Sequence, residues 1–236
     1  MRQNNLSVGD APVLSARATD SSSMFADILR IYVKHGSVIV DLNYGQGWFW
    51  SKTDTSKYNL VRVDLDQQRL LGVDCAICCD QTVSAFRDNS IDVVVIDPPY
   101  GCLSTTPRTD KVGNWYNLRP IALNGIPAYR NVMIEADRIL KKNAVAIIKC
   151  QDAVNGGKQN FTHIAIHDLA MGLGWRGEDL FVMVQSKQPR MRHKYQVHSR
   201  KNFSYFWVFQ KRKALKTPGK TLDVQSIYEF KKLSLL

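Results

Sequence analysis

The stretch at residues 91–101, IDVVVIDPPYG, joins an apolar strand to residues that can do chemistry. Its near-continuous β-branched run is typical of a strand that is covered on both faces in a parallel sheet. Asp97, Pro98, Pro99 and Tyr100 follow where that strand should end, and ligands of open α/β sheets bind at the carboxyl ends of the strands. The sequence therefore predicts a binding crevice that offers a carboxylate, the carbonyls of two prolines and an aromatic ring that can stack on a ligand.

An earlier predicted strand, at residues 37–42, runs straight into a glycine turn. Asp41 lies near the end of this strand, and residues 43–47 read NYGQG. Glycines after strands are usually plain turns. After the first strand of an α/β pattern, however, Gly45 and Gly47 also form a candidate loop that lets the backbone approach a bound cofactor closely.

Two further predicted strands, at 60–63 and 75–79, also end in acids, Asp64 and Asp80. In nucleotide-binding α/β folds, an acid at the end of the second strand, about 20 residues after the glycine turn, holds the ribose hydroxyls. Each acid taken alone is also explained as a residue that starts a helix. Acids at the ends of successive strands ahead of the 91–101 stretch favour a common binding site.

The elements that position these residues alternate between helices and strands along the chain. The pattern predicts helices at 21–35, 127–140 and 161–173, and strands at 144–148, 175–184 and 203–209. The last two strands follow each other without a helix, so we expect an antiparallel pair there. Residues 1–20 lack periodicity and should be irregular, whereas the polar stretch at 101–126 is long enough to indicate a functional loop. This alternation predicts an α/β protein without a separate second domain.

The positive charge of the chain is concentrated at its C-terminal end. Residues 185–236 hold 13 Lys and Arg against two acids, whereas the rest of the chain has 19 of each sign, so this stretch carries the whole formal net charge of +11. A basic segment on a neutral domain is the expected footprint of nucleic-acid binding, with a solvated or membrane-surface tail as the alternative. The candidate phosphate contacts are Lys187, Arg190, Arg192, Lys194, Arg200 and Lys201.

Composition indicates a globular protein without a membrane segment. No run approaches the ~18 apolar residues of a membrane span, and the polar start lacks the apolar core of a signal peptide, so we expect a cytoplasmic protein. The five cysteines are odd in number and lie mostly in or near apolar runs, which favours reduced thiols. Cys75, Cys78 and Cys79 lack a second pair of ligands, so we expect buried strand thiols rather than a metal site.

These motifs resemble those of the class I S-adenosylmethionine-dependent methyltransferases, and among them the group that methylates amines of nucleic acids. Residues 97–100, DPPY, match the group's [DNS]-PP-[YFW] catalytic motif. Residues 41–47 are similar to its DPFxGxG cofactor loop, with Leu42 for the usual proline and Tyr44 for the usual small residue. The resemblance implies a Rossmann-like class I methyltransferase sheet, mostly parallel with an antiparallel C-terminal strand pair.

The resemblance also implies a division of the chain. It gives an N-terminal segment and helix at residues 1–36, a methyltransferase domain at 37–211 with insertions at 101–126 and 186–202, and a basic tail at 212–236. Target recognition would fall to the two insertions. So little extra polypeptide favours a short recognition site or help from a second copy of the chain in a homodimer.

For the site, the resemblance implies an S-adenosylmethionine cofactor and a base amine as the methyl acceptor. The residues at cofactor-binding positions are Asp41, Asn43, Tyr44, Gly45, Gly47, Asp64 and Asp80, with Asp64 at the ribose and Asp80 near the adenine amine. Asp97 and the Pro98 carbonyl would accept the two amine hydrogens, so that the nitrogen lone pair turns toward the methyl group. Tyr100 would stack on a base flipped out of a duplex.

Several acceptors fit the motif. Aspartate at its first position favours adenine N6 in DNA over cytosine N4, and guanine N2 in transfer or ribosomal RNA is the second choice because DPPYG also occurs in such enzymes. Methylation at ring carbon 5 would need a cysteine nucleophile such as Cys102 or Cys150, but that pattern places cysteine beside proline, where this chain has Pro99 and Tyr100. A non-catalytic nucleic-acid-binding subunit with the same fold is the remaining alternative.

Overall fold

A computed structural model describes residues 11–98, 126–155, 158–185, 195 and 197–212. The helices are α1 (Ser21–Tyr32), α2 (Ile126–Ile139) and α3 (Thr162–Gly172), with short 3-10 turns at Trp48–Trp50, Thr55–Lys57 and Gln67–Leu70. The strands are β1 (Ala16–Ala18), β2 (Val38–Asp41), β3 (Asn59–Asp64), β4 (Ala76–Cys78), β5 (Ile91–Ile96), β6 (Leu140–Cys150), β7 (Ala153–Asn155), β8 (Lys158–Asn160), β9 (Trp175–Val184) and β10 (Phe203–Lys211).

The strands form one eight-stranded sheet and a separate hairpin. The order across the sheet is β1-β9-β10-β6-β5-β2-β3-β4, and β7 pairs with β8 in the hairpin. Neighbouring strands of the large sheet are parallel except around β10, which runs antiparallel to both β9 and β6. The predicted α/β class, with a Rossmann-like, mostly parallel sheet and an antiparallel C-terminal pair, is confirmed.

Helices cover both faces of the sheet because side chains alternate along its strands. On one face, Val94 and Ile96 of β5 lie in a hydrophobic cluster with residues of α2 and α3. On the other face, Val93 and Val95 lie in a cluster with residues of α1. Strand β5 is therefore buried on both sides, as its β-branched run predicts.

Helix α1 begins and buries one side as its sequence dictates. Asp20 is its N-cap, because its carboxylate accepts a hydrogen bond from Ser23 N at 2.9 Å. Phe25, Ile28 and Leu29 follow at helical spacing and are buried against the sheet. None of the helices in the described ranges has the length and apolarity needed to cross a membrane.

The N-terminal segment contributes a strand that the sequence does not predict. Strand β1 lies parallel to β9, with Ala16 opposite Val182. Three residues are too few to display the period-two alternation of a strand, and the pairing partner is distant in sequence. The expectation that residues 1–20 are irregular is therefore wrong for Ala16–Ala18.

The expected burial of the cysteines near β4 is also wrong. Cys75 and Cys78 are exposed and Cys79 is half-buried. Strand β4 is the last strand of the sheet, and the described connections on either side of it, residues 65–75 and 79–90, contain a 3-10 turn but no α-helix that would cover it. In the part of the chain that the structure describes, no group of His, Cys, Asp and Glu side chains is arranged to hold a metal ion.

Candidate active site

The predicted acids come together at the carboxyl ends of neighbouring strands. Strand β2 ends at Asp41, β3 ends at Asp64, and Asp97 directly follows β5. These strands lie side by side in the order β5-β2-β3. The parallel sheet thus places three carboxylates at the carboxyl ends of its strands, where ligands of such sheets bind.

Asp41 is buried, with 2% of its surface exposed. Its Oδ1 accepts a hydrogen bond from Asn43 N at 3.0 Å, and its Oδ2 accepts one from Trp50 Nε1 at 2.7 Å. Burial raises the pKa of Asp41 to about 7; the two hydrogen bonds oppose this shift, and the charges of Asp97 and Asp64 add to it. Asp41 therefore supports the glycine loop from inside and lies within electrostatic reach of the other two acids.

Asn43 connects the glycine loop to the segment that carries Asp97. Its Oδ1 accepts a hydrogen bond from Asp97 N at 3.2 Å, and its Nδ2 donates to Gln81 Oε1 in the segment after β4. The sequence predicts Asn43 only as part of a cofactor loop. In the structure it also fixes the backbone at the proposed catalytic acid.

Asp64 holds the glycine loop from the neighbouring strand. Its Oδ2 accepts a hydrogen bond from Gly45 N at 2.9 Å, and its Oδ1 accepts one from Asp66 N at 2.8 Å. The Arg69 guanidinium lies 3.6 Å from Oδ2. Because each carboxylate oxygen can accept more than one hydrogen bond, Asp64 can order the loop and still accept hydrogen bonds from the hydroxyls of a ligand.

Tyr44 packs across the glycine loop. Gly45 and Gly47 have φ angles of +58° and +71°, a conformation that favours glycine. A Cβ atom on Gly47 would lie 2.7 Å from Cζ of Tyr44, and the Arg62 guanidinium carbon lies 5.6 Å from the centroid of the Tyr44 ring. Tyr44 stands where the cofactor loop usually has a small residue, and its ring fits because Gly47 has no side chain.

Asp80 lies beyond the end of β4 and is exposed. Its Oδ1 accepts hydrogen bonds from the backbone N and the hydroxyl of Thr82, at 2.8 and 2.7 Å. Its neighbour Gln81 contacts the glycine loop through Asn43. The structure therefore places the segment of Asp80 beside the loop, and a contact of Asp80 with an adenine amine stays a prediction.

Lys149, near the end of β6, is a site residue that sequence reasoning missed. Its Nζ lies 3.3 Å from Oδ2 of Asp97, and only 9% of the residue is exposed. The sequence feature that could have identified Lys149 is its place directly after the predicted apolar strand at 144–148. Its partner could be identified only once the pairing of β6 with β5 was known.

The remaining residues of the DPPY motif are described only in part. Pro98 is buried. Pro99 and Tyr100 lie outside the described residues, so the proposed stacking of Tyr100 on a base stays a prediction.

The predicted phosphate contacts belong to the stretch between β9 and β10, and these strands meet it at the end of the sheet that carries the site. Gln185 N donates a hydrogen bond to Asn202 O at 2.6 Å, and this bond joins the residue after β9 to the residue before β10. At that end of β10, Tyr205 lies opposite Cys150, the last residue of β6. Arg200 and Lys201 are half-buried. The other candidates, Lys187, Arg190, Arg192 and Lys194, lie outside the described residues.

Cys150 is not suited to act as a nucleophile. It is fully buried, burial raises the pKa of its thiol well above the usual range, and the charges of Asp152 and Asp97 add to that effect. A thiol that keeps its proton is a weak nucleophile. This geometry speaks against carbon-5 methylation through Cys150, and Cys102 lies outside the described residues.

The fold is similar to that of several solved proteins. A putative methyltransferase from Bacillus halodurans superposes with a TM-score of 0.54 at 12% identity, over 81% of this chain and 100% of that one. TrmN from Thermus thermophilus gives 0.52 at 14% identity, over 80% of this chain and 48% of TrmN. The 1,6-didemethyltoxoflavin-N1-methyltransferase from Burkholderia thailandensis, solved with 1,6-didemethyltoxoflavin and S-adenosylhomocysteine, gives 0.50 at 12% identity, over 82% of this chain and 77% of that one.

No protein-family model matches the sequence, and no curated protein matches it significantly. At identities of 12–14%, the likeness to solved structures establishes the fold and not the reaction. The chain has the Rossmann-like fold of S-adenosylmethionine-dependent methyltransferases.

Proposed function

We propose that this protein transfers a methyl group from S-adenosylmethionine to an exocyclic base amine in nucleic acid, with adenine N6 in DNA as the favoured acceptor. One observation carries the proposal. Asp97, at the carboxyl end of an inner strand, is tied through Asn43 to the glycine loop after β2. The residue that would bind the amine and the loop that would bind the cofactor therefore form one connected unit.

The described residues fit S-adenosylmethionine. Asp64 can accept hydrogen bonds from ribose hydroxyls while it holds Gly45 N. The acids at the strand ends suit a cationic ligand. A structure with the same fold, the Burkholderia thailandensis methyltransferase, contains S-adenosylhomocysteine. When bound, S-adenosylmethionine supplies an electrophilic methyl group on a positively charged sulfur.

The proposed roles of Asp97 and Pro98 follow from the chemistry of base amines. The lone pair of such an amine is delocalised into the ring, so the nitrogen is a poor nucleophile. If the Asp97 carboxylate and the Pro98 carbonyl accept its two hydrogens, the nitrogen is drawn toward tetrahedral geometry and its lone pair becomes available. The amine nitrogen, held by Asp97 and Pro98, would then accept the methyl group that bound S-adenosylmethionine supplies, leaving S-adenosylhomocysteine, and would release one proton to water.

The nucleic-acid partner is proposed from charge and position. The net charge of +11 resides in residues 185–236, and the basic stretch at 186–202 leaves and rejoins the sheet at the end that carries the site. Positive charge there would hold phosphates beside the proposed acceptor. The aspartate of the motif favours adenine N6 over cytosine N4, and DNA is the first proposed polymer, with RNA as the second. A second copy of the chain is the proposed source of further recognition contacts.

Replacing Asp97 with alanine tests the proposal. We expect Asp97→Ala to lower methyl transfer to nucleic acid at least about 100-fold, because the amine loses its acceptor, while calorimetry shows S-adenosylmethionine binding largely intact. Asp92→Ala is the matched control, because Asp92 lies at the opposite end of β5 and bonds to Val38 N and Lys141. Full activity of Asp97→Ala would refute the proposed mechanism.

A further inference from the structure

Lys149 lies beside Asp97 on two neighbouring parallel strands. Ile96 of β5 lies opposite Ile148 of β6, so Asp97 and Lys149 are the next residues along each strand. Their side chains form an ion pair, with Nζ 3.3 Å from Oδ2. The sheet register itself therefore brings a cation to the acid that we propose as the amine acceptor.

Aromatic rings enclose the Lys149 ammonium. Nζ lies 5.1 Å from the ring centroid of Phe49 and 5.8 Å from that of Phe206. Phe206 is the register partner of Lys149 on β10, and Phe49 belongs to the 3-10 turn that follows the glycine loop. Ring faces attract an ammonium group, and because Lys149 is 9% exposed, solvent screens its charge only weakly. The ammonium is thus held between the sheet and the turn after the proposed cofactor loop.

The backbone of Lys149 is fixed from the other face of the sheet. The Tyr129 hydroxyl of α2 donates a hydrogen bond to Lys149 O at 3.0 Å. Burial raises the pKa of Tyr129 well above its usual range, and the charges of Cys150 and Asp97 add to that effect. Tyr129 therefore keeps the proton that it donates.

We infer that Lys149 is a positioning residue that holds the Asp97 carboxylate in place, so that the carboxylate accepts a hydrogen bond from the substrate amine. The inference rests on the proposed function. A carboxylate has acceptor capacity for several hydrogen bonds, so pairing with Lys149 is compatible with binding an amine.

The described surroundings of Asp97 favour this role. Asp41 on β2 lies within electrostatic reach, as do Tyr129 on α2 and Cys150 on β6. Each of these three groups is neutral or negative. Removing the Lys149 ammonium would leave the partly buried carboxylate beside these groups without the ion pair that holds it toward β6.

Three variants separate this role from a merely structural one. Lys149→Met removes the charge and keeps the length of the side chain, and Lys149→Arg keeps the charge. Lys141→Met is the matched control, because Lys141 also pairs β6 with β5, through Asp92 at 2.7 Å, but at the opposite end of the sheet. If Lys149→Met does not fold, Lys149→Gln gives the same neutral test.

Two measurements are made on each variant. The first is kcat and KM for methyl transfer. The second does not require activity: it is the chemical shift of the Asp97 carboxyl carbon, measured by NMR at one fixed pH in protein with 13C-labelled aspartate and assigned with Asp97→Asn.

The inference predicts a defined set of changes. In Lys149→Met, the chemical shift of the Asp97 carboxyl carbon should change, and kcat should fall on the order of 100-fold while KM changes little. Lys149→Arg should recover part of kcat, and Lys141→Met should match the wild type. An unchanged chemical shift, or a kcat at the wild-type level in Lys149→Met, would overturn the inference. If the wild type transfers no methyl group, the proposed function fails, and the chemical shift still decides whether Lys149 holds the Asp97 carboxylate.

Discussion

At the residue scale, the acids of the site are held by the protein itself. Asp41 is bonded to Trp50 and Asn43, and Asp64 orders the loop through Gly45. Each acid therefore has a fixed position before any ligand binds. Such pre-organisation is what transfer to a weak nucleophile requires, because the reacting groups must already be oriented.

Gly47 provides a test of the loop geometry at this scale. Gly47→Ala should lower the free energy of unfolding, measured with urea, because alanine is strained at a φ of +71° and its Cβ would meet the Tyr44 ring. Gly72→Ala is the matched control, because Gly72 has the same φ of +71° but open space around it. The contact with Tyr44 should cost Gly47→Ala about 1–3 kcal/mol more than the control.

The double variant Tyr44→Ala/Gly47→Ala separates the steric contact from the backbone strain. Relative to Tyr44→Ala alone, its loss should shrink to that of Gly72→Ala, since the ring is gone and only the strain remains. Equal losses for Gly47→Ala and Gly72→Ala would contradict the packing of Tyr44 against the loop.

Residue type and position at a strand end were sufficient to predict Asp41, Asp64 and Asp97 as neighbours, and the structure brings them together. The structural roles of Asn43 and Lys149 were not predictable in this way. Both depend on which strands are adjacent: Asn43 bonds to Asp97 N, and Lys149 pairs with the Asp97 side chain. A polar residue after a strand has many local explanations, and only the three-dimensional pairing selects one of them.

At the element scale, long strands with a continuous apolar run were predicted together with their burial, whereas the edge strand β1 was missed and the edge strand β4 was predicted with the wrong burial of its cysteines. Strand β5 is buried on both faces, so burial alone dictates its composition. Strands β1 and β4 have three residues each and lie at the two ends of the sheet. Their pairing is set by a partner strand rather than by their own pattern, which explains both the missed β1 and the exposed cysteines of β4.

Replacing Lys211 tests the buried contact between β10 and α2. Lys211 is fully buried; its Nζ donates to Leu140 O at 2.9 Å and lies 3.7 Å from Asp137 Oδ1. We expect Lys211→Met to lower the free energy of unfolding by about 3–5 kcal/mol, because it leaves the buried Asp137 carboxylate without its cation.

An exposed ion pair is the control for Lys211. Lys52 pairs with Asp20 on the surface at 2.7 Å, so Lys52→Met should change the free energy of unfolding by less than about 1 kcal/mol. The double variant Lys211→Met/Asp137→Asn should lose less than Lys211→Met. A loss for Lys211→Met as small as that for Lys52→Met would show that this buried cluster does not hold β10 to α2.

At the scale of the whole molecule, the acids of the site and the residues that flank the basic stretch at 186–202 lie at the same end of the sheet. The carboxylates of Asp41, Asp64 and Asp97 lie at the ends of their strands, and the stretch at 186–202 is flanked by the end of β9 and the start of β10, at the end of the sheet where β6 also ends. This separation of charge suits a cationic cofactor bound next to a polyanion. The sequence alone showed that the positive charge is concentrated at residues 185–236. Where this charge lies relative to the site could be determined only from the order of the strands.

Salt dependence tests the proposed role of the basic stretch. Affinity for duplex DNA should fall steeply with added salt, and replacing Lys187, Arg190, Arg192 and Lys194 with Gln should reduce the slope of log K against log salt by about 0.9 for each phosphate that the variant no longer neutralises. The charge-matched control replaces four exposed lysines elsewhere, Lys34, Lys52, Lys57 and Lys142, with Gln and should keep the wild-type slope. A flat salt dependence of the wild-type protein would contradict phosphate binding.

The most direct test of methylation at a base amine is analysis of the product nucleosides. The full-length protein is incubated with S-adenosylmethionine labelled in its methyl group and with separate pools of DNA and RNA, which are then digested and analysed by mass spectrometry. We expect labelled N6-methyladenine in the DNA pool, with no such product from Asp97→Ala. Labelled N2-methylguanine in RNA would move the acceptor to the second candidate. Absence of label from both pools, with the cofactor bound, would contradict the proposed reaction and favour a binding subunit.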